Sequence, residues 1–252
     1  MDPIPACCTS TDAHASGRRS WLRHAGAGAG AAVLMATVGL RSEEARAASL
    51  TKAQRDALTP DRVIEEMKRG NERFRAGRMQ QRDFLEQARA SASGQYPAAV
   101  ILGCIDSRVP AELILDLGIG DTFNARVAGN ITNRDLTGSL EFACAVAGAK
   151  VVLVMGHTAC GAIAGAINRV QLGNLSGLLE VIKPAIAATG YSGDRSAKNS
   201  AFVDAVAATN VRQTIETLRG TSPVLVDLEK QGKIRIVGAM YDLATGEVKF
   251  LS

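Results

Sequence analysis

Residues 98–110 read AAVILGCIDSRVP, and residues 151–161 read VVLVMGHTACG. In each stretch a short apolar run reaches a glycine and then gives way to polar and metal-ligating side chains. An apolar run of this length, bounded by turn residues, predicts a strand buried on both faces of a sheet. Functional loops in such sheets follow the carboxyl ends of the strands. The two stretches therefore predict a sheet, and they indicate that the functional side chains lie at the edge formed by the carboxyl ends of its strands.

The chain beyond residue 98 repeats this alternation of strand and helix. Two more buried strands are predicted at residues 122–127 and 234–241, and an edge strand at 247–251 follows a turn. Helices are predicted at residues 110–117, 136–147, 160–172, 175–188, 196–218 and 223–230. Such alternation indicates an α/β fold, with a mainly parallel sheet flanked by helices.

Residues 58–92 are predicted to form an N-terminal helical arm. Thr59, Pro60 and Asp61 form a helix start, and the pattern continues to about Ala76. A second helix is predicted at residues 80–90. The apolar positions are too sparse for a core of their own, so the arm is expected to pack on something else. These positions are Val63, Ile64, Met67, Phe74, Phe84 and Leu85.

Residues 1–48 have the features of an export signal. Arg18 and Arg19 precede an apolar run at residues 25–40, which leads to a small-x-small cleavage pattern at 45–47. The paired arginines resemble a twin-arginine (Tat) signal, and an ordinary secretory signal is the alternative. The apolar run is shorter than the roughly 20 residues that span a bilayer. We therefore expect export to the periplasm without a stable membrane anchor, and one catalytic domain at residues 49–252.

Charge and cysteine content restrict the possible functions. Removal of residues 1–47 leaves 24 Lys and Arg against 21 Asp and Glu, and no basic run is interleaved with aromatic residues. A nucleic-acid partner is therefore not expected. The three cysteines that remain are too few for a disulfide framework. Of these, Cys144 lies in a small, apolar stretch and is predicted to be a buried helix residue.

Cys104, His157 and Cys160 form a candidate zinc ligand set. His157 is the only histidine in residues 49–252, and it lies three residues before Cys160, a spacing that can place both on one turn at the start of a helix. Apart from Cys144, which is predicted to be a buried helix residue, no fourth Cys or His is available to close the site. Asp106 is the local candidate, and Arg108 can pair with it and hold it back from the metal. A plain surface ion pair is the alternative for these two residues.

These residues resemble the β-class carbonic anhydrases. The likeness rests on two signature segments, residues 104–108 and 156–161, which together are highly specific. It extends over almost all of the chain from Leu58 to Leu251. Shorter matches in family order occur at residues 70–74, 94–97, 120–123, 128–130 and 138–142.

The resemblance implies a zinc enzyme that interconverts carbon dioxide and bicarbonate, with one Zn²⁺ per chain. Cys104, His157 and Cys160 would be the protein ligands and hydroxide the fourth. Asp106 and Arg108 would form the dyad that orients this hydroxide, and Asp106 could replace it in a closed state. With His157 on the metal, no histidine remains to carry the proton, so buffer or water must do so.

The resemblance also implies a substrate pocket and an oligomer. Gln95 would be the polar substrate contact, and Phe123, Phe142 and Gly161 would line the pocket. Some of these walls would come from the partner subunit of a homodimer or homotetramer, which the arm would wrap. Phe142 replaces the tyrosine of many relatives, and Ile101 replaces the tryptophan of the bicarbonate-inhibited subtype.

Two alternatives to this function stay open at the level of sequence. The same site could hydrolyse a sulfur analogue, carbon disulfide or carbonyl sulfide. The second alternative belongs to another functional class: an exported zinc-binding protein without catalytic activity. The second would need a closed metal site, which pairing of Asp106 with Arg108 disfavours.

Overall fold

The computed structural model describes residues 49–251. These residues form a five-stranded sheet in the order β2-β1-β3-β4-β5. The first four strands run parallel, and β5 pairs antiparallel with β4. The predicted α/β class and mainly parallel sheet are confirmed. The strands are β1 (Ala99–Gly103), β2 (Thr122–Arg126), β3 (Val151–His157), β4 (Arg235–Tyr241) and β5 (Val248–Phe250).

The central strands β1 and β3 are buried at every residue, as expected for apolar runs covered on both faces. They are parallel neighbours, and Gly103 at the end of β1 pairs with Met155. Cys104 follows β1 directly, and His157 is the last residue of β3. The register therefore places both ligand segments side by side at the carboxyl edge of the sheet.

Ten α-helices surround this sheet in the described part of the chain. The helices predicted at residues 80–90 and 196–218 each begin four residues later in the structure, and the one predicted at 110–117 is confined to Ala111–Ile114. The segment predicted as one helix at residues 175–188 is two helices, because Pro184 cannot lie in a helix interior and instead lies in the first turn of the second. The helix predicted at 160–172 ends at Ile167. The helices are α1 (Lys52–Asp56), α2 (Pro60–Arg75), α3 (Phe84–Ser91), α4 (Ala111–Ile114), α5 (Arg134–Glu141), α6 (Gly161–Ile167), α7 (Gly173–Glu180), α8 (Lys183–Ala188), α9 (Ser200–Thr221) and α10 (Pro223–Lys230).

Helix α2 packs on the sheet of its own chain. Its buried residues Val63, Ile64 and Met67 belong to the same apolar cluster as Ile101 and Leu153 of the sheet. A partner subunit was therefore the wrong explanation for the sparse apolar stripe of α2. In α3, by contrast, Phe84 and Leu85 are exposed. Wrapping of a partner by the arm stays a prediction.

Helix α5 continues directly into a π-helical turn, Phe142–Val146. The Ala147 amide donates to the Phe142 carbonyl, five residues back. Both ends of the turn are anchored. Before it, Glu141 Oε1 accepts a hydrogen bond from Ser222 Oγ at 2.5 Å; after it, the buried Arg55 donates to the Ala147 carbonyl.

Cys144 lies inside this turn and is buried, as predicted. Burial raises the pKa of its thiol to about 12. Cys144 therefore stays a protonated, apolar core residue, distinct from the two cysteines of the proposed metal site.

The predicted export signal lies in residues 1–48, outside the described residues. Among the helices of residues 49–251, none has both the length and the apolar content that a membrane span requires.

Candidate metal centre

Three ligand atoms converge at the carboxyl edge of the sheet. One donor atom each from Cys104, His157 and Cys160 lies within 4.8 Å of the other two, and all three residues are buried. The predicted placement of His157 at a helix start was wrong, since it ends β3 and Cys160 is the N-cap of α6. Between them, Ala159 has a φ of 52°. A reversal of the backbone, and not a helical turn, brings the two side chains together.

The imidazole of His157 is oriented for metal binding. Its Nδ1 lies 2.9 Å from the Thr158 carbonyl, which can only accept, so Nδ1 carries the proton. Its Nε2 is buried and has no hydrogen-bond partner among the described residues. A buried nitrogen without a partner is costly. The Nε2 lone pair, beside two thiols, fits a soft ion such as zinc.

The thiol of Cys104 is prepared for ionisation. Hydrogen bonding to Cys160 is the main cause that lowers the pKa of Cys104 to about 4. The Gly129 amide also donates to Cys104 Sγ, at 3.3 Å. The same pairing raises the pKa of Cys160, because burial and the neighbouring thiolate disfavour a second negative charge. A divalent cation would offset that repulsion and take both cysteines as thiolates.

Asp106 and Arg108 form a forked ion pair beside the ligands. Arg108 Nε donates to Asp106 Oδ1 at 2.9 Å, and Arg108 Nη2 donates to Oδ2 at 2.7 Å. This contact holds the pKa of Asp106 well below its usual range. Asp106 Oδ2 lies 3.9 Å from His157 Nε2. The carboxylate thus faces the ligand cluster while it is bound to Arg108, which distinguishes the pair from an ordinary surface ion pair.

Two residues that the sequence analysis did not single out hold the ligand segments in place. Arg126, the last residue of β2, donates to the carbonyls of Cys104 and Asp106 at 2.8 and 2.5 Å. Asp204 of α9 accepts a hydrogen bond from the Ala159 amide at 2.8 Å. Neither residue belongs to a signature segment, so no local signal identified them.

A cavity of about 330 Å³ opens next to Cys104 and Asp106. Apart from these two residues, its walls consist of aliphatic side chains and glycines. An uncharged molecule can therefore enter without displacing water that is bound to polar groups. Gly161 lies in the wall of this cavity, and its role in a substrate pocket stays a prediction. The remaining wall residues are Ile105, Ala128, Ala162, Gly165, Val170, Leu175 and Leu179.

A family model described as carbonic anhydrase matches residues 99–248, more than half of the chain. Among solved structures, a tetrameric β-carbonic anhydrase from Sordaria macrospora superposes with a TM-score of 0.57 and 28% identity, covering 64% of this chain and 83% of that one. The chain belongs to the β-class carbonic anhydrases. A second structure, a β-carbonic anhydrase of Aspergillus fumigatus, gives a TM-score of 0.59 and 27% identity, covering 75% and 88% of the two chains.

Curated relatives agree with this family assignment. This carbonic anhydrase is 37% identical over 182 residues to carbonic anhydrase 2 of Mycobacterium tuberculosis, covering 71% of this chain and 87% of the relative. It is 32% identical over 188 residues to a carbonic anhydrase of Mycolicibacterium smegmatis, covering 74% and 90%. Both matches span most of the relative's length.

Three predicted pocket residues of this carbonic anhydrase do not lie around the metal centre of their own chain. Gln95 is exposed, and Phe123 and Phe142 stack edge to face with ring centroids 6.2 Å apart. Phe123 pairs with Val100, four residues before Cys104, which places it roughly 13 Å back along the sheet. Within one chain, the cavity near Cys104 is lined by aliphatic residues instead. That these three residues line a substrate pocket stays a prediction.

Proposed function

We propose that this β-class enzyme is an exported zinc carbonic anhydrase that interconverts carbon dioxide and bicarbonate. Cys104, His157 and Cys160 would hold one zinc ion per chain. The single observation that carries the proposal is the buried, unpartnered Nε2 of His157 beside two buried thiols. Zinc, when bound, lowers the pKa of a water molecule and supplies hydroxide near neutral pH.

Asp106 and Arg108 would direct the attack. Arg108 keeps Asp106 ionised, so the carboxylate accepts a hydrogen bond and orients the attacking water toward the carbon of carbon dioxide. The same fork holds Asp106 away from the ligands and keeps a position free for water. An open resting site is the state that this arrangement supports.

The aliphatic cavity would admit carbon dioxide and favour release of the charged product. Carbon dioxide is uncharged and small, whereas bicarbonate is anionic and better solvated by water than by aliphatic walls. Residues 49–252 contain no second histidine, so the released proton would leave through water or buffer. Turnover should therefore depend on buffer concentration.

The active unit would be at least a homodimer, with a homotetramer as the larger form. The tetrameric neighbour from Sordaria macrospora and the exposed Phe84 and Leu85 of the arm support this. Gln95, Phe123 and Phe142 would then complete the pocket of the partner subunit. Phe142 lacks a hydroxyl and would contribute only an apolar wall.

Stopped-flow hydration of carbon dioxide by the processed protein, with zinc counted per chain, tests the proposal. We expect zinc near one per chain and buffer-dependent hydration. Zinc at that level without hydration would favour the non-catalytic zinc-binding alternative. Faster turnover of carbonyl sulfide or carbon disulfide than of carbon dioxide would favour the sulfur analogues.

We further propose export to the periplasm by a Tat-like route, supported by Arg18 and Arg19 and the apolar run after them. Two thiols that share one ion would risk oxidation if they reached an oxidising compartment without metal, so loading before export is an advantage. Replacing Arg18 and Arg19 by Lys should leave a folded, zinc-loaded precursor in the cytoplasm. Normal processing and export of this variant in cell fractions would favour the ordinary secretory signal.

A further inference from the structure

The segment between His157 and Cys160 has a backbone conformation that its own residues do not favour. Ala159 has a φ of 52°, in the left-handed region that favours glycine. A non-glycine residue stays there only when its surroundings fix it. Two of the three proposed zinc ligands flank this residue, so its conformation decides whether they can face one ion.

The side chain of Asp204, on helix α9, is the contact that holds the Ala159 amide. Asp204 Oδ1 accepts the Ala159 amide hydrogen at 2.8 Å. Asp204 itself is held firmly, because its neighbours Phe202, Val203 and Val206 on α9 are buried in the apolar cluster that contains Cys104 and Cys160. The carboxylate therefore projects from a packed helix into the ligand turn.

The next peptide unit, which carries the Ala159 carbonyl, contacts the dyad. The Ala159 carbonyl lies 3.5 Å from Arg108 Nη2, the nitrogen that donates to Asp106. Ala159 is thus held by Asp204 at its amide and by Arg108 at its carbonyl. A shift of this turn would displace both the ligands and the guanidinium.

We propose that Asp204 is a positioning residue of the zinc site. By accepting the Ala159 amide, it holds the left-handed turn that aims His157 Nε2 and Cys160 Sγ at a common point. It acts through the backbone and touches neither metal nor substrate. The inference rests on the proposed zinc site and extends it to a residue 45 positions away along the chain.

Zinc affinity, measured by competition with a chromophoric chelator on the full processed protein, tests this role. Asp204→Ala should weaken zinc binding about 10–100-fold, the usual effect of losing an outer hydrogen-bond partner of a ligand. Asp204→Asn keeps an acceptor oxygen and should bind zinc nearly as well as the wild type. Asp227→Ala, which removes an exposed helical carboxylate, is the matched control and should change nothing.

The double variant Asp204→Ala with Ala159→Gly gives the sharper readout. Glycine adopts a positive φ without strain, so the turn no longer needs the carboxylate and zinc affinity should recover. A general packing role of Asp204 would not be rescued by a change at residue 159. Loss of zinc affinity in Asp204→Ala without recovery in the double variant would overturn the inference.

The other possible results of these zinc-binding measurements also test the inference. Wild-type zinc affinity in Asp204→Ala would overturn the inference and leave the proposed function intact, whereas a wild-type protein that binds no zinc would overturn the proposed function itself. If Asp204→Ala alone does not fold, the double variant decides, because a folded, zinc-binding double variant supports the role and an unfolded one contradicts it.

Discussion

The two segments that supply the proposed metal ligands are held in different ways. In the turn of residues 157–160, His157 and Cys160 are fully buried and the backbone conformation is fixed by Asp204. In the loop of residues 104–108, Arg108 is 56% exposed at its side chain, and charged side chains hold the backbone. The turn therefore holds two of the three proposed ligands rigidly, whereas the loop carries the third, the buried Cys104, beside an exposed guanidinium. Changes at Asp106 and Arg108 should therefore affect turnover more than metal retention.

The largest expected effect comes from the rigid turn. His157→Ala should lose both zinc and turnover, because residues 49–252 contain no other histidine that could replace the imidazole. Zinc per chain, measured after dialysis, checks this. Cys144→Ala removes the one cysteine of residues 49–251 that lies outside the candidate ligand cluster, and this variant should bind zinc like the wild type. Retention of zinc by His157→Ala would show that the ligand is wrong.

The loop should separate turnover from metal binding. Asp106→Asn should keep zinc and lose about 10²-fold or more in kcat, because the amide cannot form the charged fork with Arg108 or accept from the attacking water as a carboxylate does. Zinc per chain and the stopped-flow rate of carbon dioxide hydration, measured on the same sample, show whether metal binding and kcat separate. Full activity in this variant would remove the dyad from the mechanism.

A smaller effect is expected where β2 supports the loop. Arg126→Lys keeps the positive charge but cannot bridge the two carbonyls of Cys104 and Asp106, since an ammonium lacks the planar fork. We expect kcat to fall about tenfold while zinc is retained. The control is Arg134→Lys on the exposed face of α5, which should match the wild type. Loss of zinc from Arg126→Lys would mean that the loop is as important for metal binding as the turn.

The smallest expected effect of the loop is on the pH dependence. Two thiolates give the metal more negative charge than neutral imidazoles do, so activity should rise on the alkaline side of neutrality. Because Arg108 holds the pKa of Asp106 well below its usual range, the carboxylate stays ionised at neutral and mildly acidic pH and is protonated only as pH falls through that lowered pKa. Asp106→Asn should therefore lower the plateau without moving the midpoint. A flat profile from about pH 6 to about pH 9 in saturating buffer would contradict this.

The sequence predicted the elements that depend on local pattern. All five strands lie within two residues of their predicted bounds, because buried runs such as residues 151–156 carry a strong local signal. The ligand set followed from residue type and from the rule that loops at the carboxyl ends of strands carry the site. Pro184 was a signal for the break between α7 and α8 that the helix prediction did not use.

The supporting contacts could not be predicted from local pattern. Arg126 reaches a carbonyl 22 positions away, and Asp204 reaches an amide 45 positions away. The positive φ of Ala159 could not be predicted from its identity either, since alanine normally avoids that region. The apolar stripe of α2 likewise gave no indication of which surface covers it. These features depend on tertiary packing, about which the periodicity of the sequence gives no information.

Because of the π-helical turn after α5, the fold should be more sensitive to the number of residues in that segment than to their identity. Removing one residue from Phe142–Val146 would restore regular α-helical bonding and rotate one flank against the other by about 100°. Either Phe142 would leave the edge-to-face contact with Phe123, or the Ala147 carbonyl would leave its hydrogen bond from Arg55. Substitutions that keep volume should be tolerated here, whereas single-residue deletions should not.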